Sequence, residues 1–325
     1  MNNEQTRIDA ALRLHRYVTQ THWRDNALRG PDPGIRWNYR IGRFAKSYLR
    51  ALPWKDHLCY MQAQGYWVLG NWKLFEHTGR EEYRDIAIRC SEEIRRRQRR
   101  DGAWDYPNPE WSGRVATVEG VWGSLGLLES YRQCGNENFL TGAKKWHEYT
   151  LRHVGFQEKG DELAINYFAN GGGARVPNNS TDALRFFAEL TEVTGDNAYM
   201  NECPGMLTFM ANVQLPSGEI PYTVDGVESG TGRVHFQCYQ YNAYQCLGLM
   251  EYAMLANDER AIPVIENVLR FLRDGITEKG SARYACGNNY RRVVYHAAAL
   301  ALAFERAESL GIDGYQELAD RAFAY

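Results

Sequence analysis

A chain of 325 residues with 44% hydrophobic and 24% charged residues can bury a sizeable core, so its composition excludes a largely disordered protein. The formal net charge of −2 gives no overall attraction to nucleic acid or an anionic membrane, and neither is expected as a partner. No run of about eighteen apolar residues predicts an integral membrane segment, and the first residues lack the apolar core of a signal peptide. The seven scattered cysteines favour reduced thiols and a cytoplasmic location.

The predicted helices alternate along the chain between two kinds. Helices with an apolar stripe and a charged face are predicted at about 5–20, 81–99, 137–153, 197–213, 259–274 and 313–323. Helices that are apolar or small almost all round are predicted at about 57–78, 118–133, 180–194, 237–256 and 294–310. A helix without a polar face must be buried on most sides. The alternation predicts an all-α fold: one α/α-toroid domain over residues 1–325, with inner and outer rings of about five to six helical hairpins.

Glycines recur along the chain in two series. The first series is predicted to lie where outer helices end and long loops begin, and it consists of Gly102, Gly160, Gly218 and Gly280. The second is predicted to end the apolar helices, and it consists of Gly79, Gly135, Gly195, Asn257 and Gly311. Glycine and asparagine tolerate the positive φ that such helix ends require. Each repeat is therefore predicted to be a helical hairpin with one tight turn and one long loop.

Two turns of the first series share more than a glycine. The residues Gln98-x-x-x-Gly102-x-Trp104 resemble the Q-x-x-x-G-x-W repeat of the terpenoid cyclase and protein prenyltransferase toroids. Gln214-x-x-x-Gly218 resembles a degenerate copy of the same repeat. The turns are also similar to those in the α/α domain of glucuronyl C5-epimerases and in other carbohydrate-active toroids. The resemblance implies the toroid fold, and the epimerase likeness implies tyrosine-centred chemistry.

Residues 22–56 form a basic, aromatic segment that is too long for a passive connection between helices. Within it, Arg36 and Tyr39 are candidates for substrate contact. The segment is predicted to be a loop that covers or borders the cavity, as a lid.

The starts of the apolar helices carry the candidates for proton transfer. In a toroid these helix starts gather at one end, with their positive dipole ends at the cavity mouth. Buried carboxyl groups, imidazoles and phenols in such a place can move protons near neutral pH. The candidate catalytic residues are Glu119, His235, Tyr239, Tyr241 and His296. Two alternatives stay open: Glu119 could complete a cap at the start of its own helix, and a loop histidine such as His235 is often only structural.

Aromatic, amide and basic side chains near these positions are the candidates for substrate binding. They are Trp104, Tyr106, Trp122, Asn178, Asn179, Asp182, Gln237, Asn242, Tyr290, Arg291 and Arg292, together with Arg36 and Tyr39. Paired arginines would hold a carboxylate or a phosphate. In the stretch VPNNSTD, Pro177 is predicted to end one element and Asn179 or Ser180 to cap the next helix, which leaves the other asparagine for a ligand.

Several familiar signals are absent from the sequence. It contains no Gly-rich phosphate loop, no H-E-x-x-H and no paired C-x-x-C, and the pairs His57 with Cys59 and His235 with Cys238 are too sparse to define a metal site. No metal ligands and no cofactor are therefore assigned, and the sequence leaves open whether a metal is bound. The stretch RRRQRR at 95–100 is predicted to be a solvated helix end, where cations suit the helix dipole.

Three functions compete on these residues. The mixture of rings, amides, carboxylates and arginines favours a carbohydrate-active enzyme, either a lyase or epimerase that abstracts a proton from a uronic-acid sugar, or a glycosidase. The first alternative is an isoprenoid cyclase or prenyl-transfer enzyme, whose aromatic walls would stabilise carbocations; the D-x-D-D acid motif of such cyclases is absent. The second is a noncatalytic toroid that binds a glycan or a peptide. The substrate is expected to be a small molecule or an oligosaccharide, and the oligomeric state is left open.

Overall fold

The computed structural model describes residues 3–30, 57–108, 111–224 and 234–325. These residues are mostly helical, and their only sheets are antiparallel pairs of two strands. They divide into two compact units, Met1–Tyr149 and Thr150–Tyr325. Within the described residues, no helix has the length and apolar character needed to cross a membrane. The predicted all-α class is confirmed.

The first unit alternates amphipathic and apolar helices as predicted. Its elements are α1 (Asn3–His22), β1 (Trp23–Arg24), β2 (Ala27–Leu28), α2 (Met61–Thr78), α3 (Glu81–Arg97), α4 (Thr117–Cys134) and α5 (Glu137–Tyr149). The apolar helices α2 and α4 pack closely, because a Cβ atom on Gly65 would lie 2.0 Å from the carbonyl oxygen of Trp122. Farther along the same pair, Trp72 Nε1 donates to Ser130 Oγ over 2.8 Å.

The second unit continues the alternation and adds two hairpins of strands. Its elements are β3 (Phe156–Lys159), β4 (Glu162–Ile165), α6 (Pro177–Thr194), α7 (Cys203–Val213), α8 (Cys238–Ala256), α9 (Ile262–Arg273), β5 (Arg283–Ala285), β6 (Asn288–Arg292), α10 (Val294–Ser309) and α11 (Gln316–Ala324). The apolar helices α6 and α8 approach each other where Gly248 faces Thr181. The β5–β6 hairpin lies directly before α10 and brings the loop residues around Cys286 back towards α8.

The ends of the apolar helices follow the prediction. Gly79, Gly135, Gly195 and Asn257 are C-cap residues in the left-handed conformation, with φ of 66°, 67°, 71° and 50°. Gly311, with φ of 73°, lies one residue beyond the cap of α10. These positions tolerate the left-handed backbone because glycine has no Cβ and asparagine is short and polar.

Three of the predicted loop turns have the same backbone hydrogen bonds, and we name them the glycine turns (residues 98–104, 214–220 and 276–282). In each, the glycine N–H donates three residues back: Gly102 to Arg99, Gly218 to Leu215 and Gly280 to Thr277. In the first two, the glutamine side chain donates to the glycine carbonyl and also to a carbonyl of the next outer helix: Gln98 to Gly142, and Gln214 to Val264. Each turn is thereby fastened to the next hairpin.

The same three glycines touch the backbone of the following outer helix. A Cβ at Gly102, Gly218 or Gly280 would lie 2.4, 2.1 or 2.1 Å from the carbonyl oxygen of Lys145, Asn267 or Arg321. All three have positive φ. The glycines are therefore required both by the turn and by the close approach of the next helix.

Four details of the prediction are wrong. Gly160 lies in the tight turn between β3 and β4, because α5 ends at Tyr149 and a π-helical turn, Thr150–Val154, leads into the hairpin. Pro177 does not end an element but begins α6, since proline suits the first helical position, where no N–H is needed. Asn179 and Ser180 accordingly lie inside α6 and do not cap it. For the same reason α7 and α9 begin one residue before Pro204 and Pro263, each preceded by a short 3₁₀ turn.

Part of the predicted lid is also different. Residues 23–28 form the β1–β2 hairpin and do not belong to an irregular loop. Residues 31–56, with the candidates Arg36 and Tyr39, lie outside the described residues.

Candidate functional site at the start of helix α8

A carboxylate and an imidazole form a pair at the start of α8. Glu219 directly follows the glycine of the second glycine turn, and this turn buries it to 2% exposure. His235 Nδ1 lies 3.0 and 2.9 Å from the two carboxylate oxygens of Glu219, while the His235 side chain is 52% exposed. A carboxylate in this place favours the tautomer with the proton on Nδ1, which leaves Nε2 as a proton acceptor.

Two cysteines complete this group. Cys286, in the β5–β6 hairpin, places its Sγ 3.6 Å from Glu219 Oε2. The backbone N–H of Cys286 donates to the Sγ of Cys238, the first residue of α8, over 2.7 Å. Burial raises the pKa of both thiols, so both are protonated at neutral pH in the protein alone.

Asn242 fixes the start of α8 against the second glycine turn. Its Oδ1 accepts from the N–H of Ile220 over 2.7 Å, and its Nδ2 donates to the carbonyls of Ile220 and Cys238 over 2.9 Å each. Both amide hydrogens and one lone pair of Oδ1 are thereby used within the protein. Asn242, predicted to bind substrate, thus lies where it positions Glu219 and Cys238. Gln237, the residue before the helix, has a left-handed backbone with φ of 44°.

Three aromatic rings near His235 in the sequence contact one another. Tyr222, Phe236 and Tyr241 contact one another with ring centroids 4.8 to 5.9 Å apart. Burial raises the pKa of the phenols of Tyr222 and Tyr241, which are therefore neutral over the physiological range. The neighbouring Tyr239 points elsewhere: its ring stacks on Phe271 of α9 with a centroid distance of 5.0 Å, and burial raises its pKa to about 12.

The β5–β6 hairpin also carries an arginine and a tyrosine beside His296. The guanidinium carbon of Arg291 lies 3.9 Å from the ring centroid of Tyr284, and the His296 ring is roughly parallel to the same tyrosine at 6.0 Å. His296 is fully buried, and burial lowers its pKa, with the charge of Arg291 adding to the effect. Tyr290 is 95% exposed, and Arg291 and Arg292 are both exposed. Of the two predicted arginines, Arg291 has its guanidinium over an aromatic ring.

Two buried amides in the apolar helices have no hydrogen-bond partner among the described residues. They are Asn179 of α6 and Gln245 of α8, each 1% exposed. A buried polar group without a partner costs about 1–3 kcal/mol, so water or ligand atoms are expected to satisfy these amides. The predicted Asn178 is half-buried, and the predicted Asp182 is buried near Arg185.

In the first unit, Glu119 caps a helix other than its own. Its Oε2 accepts the backbone N–H of Met61 in a short hydrogen bond and that of Gln62 over 3.3 Å, which are the first two residues of α2. Burial outweighs these bonds and raises the pKa of Glu119 to about 7. The alternative that Glu119 caps its own helix is therefore wrong, because its carboxylate, which comes from α4, accepts the N–H groups at the start of α2.

The predicted aromatic residues of the first unit differ in exposure. Trp104 is 1% exposed and donates from Nε1 to the carbonyl of Ile94 over 2.9 Å, which is a packing position. Trp122 is 6% exposed and contacts the partly exposed Tyr66 at 4.1 Å. Tyr106 is half-buried and stacks on Trp111 at 5.5 Å. Tyr106 and Tyr66 thus keep part of their ring surface exposed to solvent.

The structure places Arg291 and His296 against the same ring, that of Tyr284, and Tyr241 against Phe236, the residue after His235. It also adds residues that the sequence did not single out as site candidates. These are Glu219, Tyr222, Tyr284, Cys238 and Cys286. One signal was available for Glu219: it occupies the position after the glycine in a repeated turn, where the other copies have Ala103 and Ser281.

Comparisons with known proteins give the fold. No protein-family model matches the chain, and no curated protein sequence matches it. Several solved structures match the chain in fold. A cellobiose 2-epimerase from Bacillus thermoamylovorans matches with a TM-score of 0.74 at 13% identity, over 100% of this chain and 87% of that one.

Two further solved structures are similar. A sugar epimerase from a ruminal bacterium has a TM-score of 0.65 at 15% identity, over 82% of this chain and 75% of its own. An unsaturated glucuronyl hydrolase from Bacillus sp. GL1 has a TM-score of 0.61 at 16% identity, over 81% and 71%. The fold is of the α/α-toroid class. At these identities the likeness shows the fold alone, and the structures named here are not terpenoid cyclases.

Proposed function

We propose that this protein is a carbohydrate-active enzyme that moves a proton on a sugar, as an epimerase or as a glycosidase. The observation that carries the proposal is the pair of Glu219 and His235, in which a buried carboxylate orients a half-exposed imidazole beside aromatic rings. The structural neighbours support the class, because their names describe two sugar epimerases and a glucuronyl hydrolase.

In the proposed reaction His235 is the proton carrier. Glu219 holds the proton on Nδ1, so that Nε2 can accept a proton from a sugar carbon or from a water molecule. The buried carboxylate also stabilises the imidazolium that forms. The phenols of Tyr222 and Tyr241, which are neutral, are the proposed donors that return a proton.

The substrate is proposed to be an oligosaccharide that contains a uronic acid. Arg291 offers a cation that could hold a sugar carboxylate, and this arginine is already oriented on the ring of Tyr284. The half-buried rings of Tyr222, Phe236 and Tyr241 offer surfaces for the apolar faces of sugars. Elimination by a lyase, which the sequence also allows, uses the same base and differs in the bond that breaks.

The isoprenoid alternative has less support. A carbocation reaction gains from aromatic walls but has no use for an imidazole held by a carboxylate. The named neighbours act on sugars, as their names state. The noncatalytic alternative likewise leaves the pairing of Glu219 with His235 unexplained, since binding alone requires no proton carrier.

The test is a turnover screen in deuterated water. Uronic-acid oligosaccharides, neutral disaccharides and prenyl diphosphates are incubated with the protein, and products are followed by mass spectrometry and NMR. Deuterium at a sugar carbon without a new reducing end indicates epimerisation, and a new reducing end indicates hydrolysis. An unsaturated product indicates a lyase. Turnover of a prenyl diphosphate, with no change in any sugar, would reject the proposal.

A further inference from the structure

Glu219 lies in a cluster of side chains that could bind a metal ion. His235 is 16 residues and Cys286 is 67 residues away from it in the chain, so no short motif marks the group. We infer that Glu219, His235 and Cys286 form a binding site for a zinc-class divalent cation, with Cys238, whose Sγ accepts the N–H of Cys286, as a further donor beside it. The site lies at the proposed proton carrier, and a cation there would regulate it.

The distances suit a tetrahedral ion. One donor atom from each of the three residues lies within 4.8 Å of the other two. Zinc bonds of about 2.0–2.3 Å place neighbouring ligand atoms about 3.3–3.7 Å apart. The separations of 2.9 Å between His235 Nδ1 and Glu219 Oε2, and of 3.6 Å between Cys286 Sγ and the same oxygen, need shifts of only a few tenths of an ångström. The third separation, between His235 Nδ1 and Cys286 Sγ, is within 4.8 Å and closes with a shift of up to about 1 Å.

The donor types also select the metal. Nitrogen, sulfur and one carboxylate oxygen suit zinc, whereas calcium and magnesium prefer oxygen ligands throughout. Within the described ranges, no lysine or arginine forms an ion pair with the buried Glu219. A divalent cation would therefore compensate a carboxylate that has no permanently charged partner.

Zinc binding to the site with Glu219 ionised releases one proton to solvent. Zinc takes the lone pair at His235 Nδ1, so the proton of the neutral ring moves to Nε2. Cys286 loses its thiol proton to solvent and becomes a thiolate, so one proton leaves for each ion bound. The charges of zinc, carboxylate and thiolate then sum to zero. Coordination by Cys238 would release a second proton.

Zinc binding has a consequence for catalysis. With the proton on Nε2, the imidazole no longer offers the acceptor that the proposed reaction requires. Zinc is therefore expected to inhibit turnover. This last step rests on the proposed function, whereas the binding of the metal does not.

Binding is tested on the full chain, stripped with a chelator and without any sugar. Titration calorimetry with zinc sulfate should give one ion per chain. Titration with cobalt chloride should give a thiolate-to-cobalt charge-transfer band. Glu219→Gln, His235→Gln and Cys286→Ser should each weaken zinc binding by more than the about 10–100-fold typical for loss of an outer-shell partner. Cys134→Ser, at an exposed cysteine in the first unit, is the matched control.

Circular dichroism and thermal melting of each metal-free variant establish whether it is folded. If Cys286→Ser is not folded, Cys286→Ala takes its place, and the comparison uses the variants that are folded. Zinc affinity that is unchanged in all three ligand variants, or a cobalt complex without a thiolate band, would overturn the inference. Inhibition is measured with whichever sugar turns over. Binding without inhibition would reject the regulatory step alone, and absence of turnover would reject the proposed function while leaving the metal result intact.

Discussion

Glu119 is a buried carboxyl group that ties two apolar helices of the first unit together. It accepts the free N–H groups at the start of α2 from its place on α4. A helix start favours a negative charge, but the loss of water around the carboxylate has the larger effect on its pKa. Protein stability should therefore depend on pH through this residue.

The folded pKa of about 7 lies above the 4.5 of an ordinary glutamate. Between these values the folded chain keeps a proton that the unfolded chain loses, so rising pH favours unfolding. Relative to Glu119→Gln, the free energy of unfolding of the wild type should fall by on the order of 3 kcal/mol as the pH rises from about 4.5 to about 7. Urea denaturation at a series of pH values measures this, with Glu92→Gln on the exposed face of α3 as the control. Parallel curves for wild type and Glu119→Gln would contradict the pKa.

The second residue-scale prediction separates two neighbours at the start of α8. His235→Ala should lower kcat on the sugar substrate by about 100-fold or more, the usual loss for a proton-transfer group. Tyr239→Phe should change kcat by less than about 10-fold, because the ring packs on Phe271 and keeps that contact. Steady-state kinetics on both variants checks this. A large loss in Tyr239→Phe with normal activity in His235→Ala would reverse the assignment.

At the residue scale the sequence predicts which loops carry the candidate site better than it predicts how the side chains are oriented. It names His235, Tyr241, Arg291 and His296, all of which lie at the start of α8 or in and after the β5–β6 hairpin. It does not name Glu219, because pairing with His235 depends on how two loops fold back on each other. It treats Tyr239 and Tyr241 alike, because helical spacing does not reveal which neighbouring element each ring meets.

At the scale of elements, the glycine turns fix where each hairpin meets the next. Their glycines combine a positive φ with close contact to a backbone carbonyl. The C-cap glycines of the apolar helices have the positive φ without such a contact. The two classes therefore separate the cost of backbone strain from the cost of crowding.

Gly218→Ala should destabilise the protein more than Gly135→Ala. Both substitutions meet a left-handed backbone, which costs about 1–2 kcal/mol. Only at Gly218 would the new methyl lie 2.1 Å from the Asn267 carbonyl oxygen, and overpacking of this kind adds about 1–3 kcal/mol. Chemical denaturation of the two variants gives the difference. Equal losses would mean that α9 moves aside without cost.

Helix positions are the part of the fold that periodicity predicts well, to within a few residues for the apolar helices. The exceptions are governed by single residues. The prolines in α6, α7 and α9 begin helices that the prediction starts or joins differently, and Gly160 serves a strand hairpin. Short hairpins in the long loops are compatible with the sequence, but their positions escape prediction because strands of two to five residues carry too little periodicity.

At the scale of the whole molecule, the chain is predicted to be one domain although its residues divide into two compact units. The fold match to the cellobiose 2-epimerase extends over 100% of this chain, and the single domain stays a prediction. Calorimetric unfolding should then give a single transition whose calorimetric and van't Hoff enthalpies agree. Two resolved transitions, or a fragment 150–325 that melts as the full chain does, would indicate separate domains. The predicted central cavity concerns both units and stays a prediction.

In the glycine turns, the residue after the glycine has a constant backbone hydrogen bond and a variable side chain. In all three, the residue after the glycine uses its carbonyl oxygen to accept the same backbone bond, at 2.8, 2.8 and 3.0 Å, while its side chain is Ala103, Glu219 or Ser281. The backbone hydrogen bond is therefore the same whichever side chain follows the glycine, although in the third turn Ser281 Oγ also forms a hydrogen bond with Thr277 Oγ1 over 2.8 Å. The residue after the glycine can therefore be an acid, a serine or an alanine while the turn keeps the same backbone conformation. A scaffold built in this way can exchange its chemistry one residue at a time and keep its architecture.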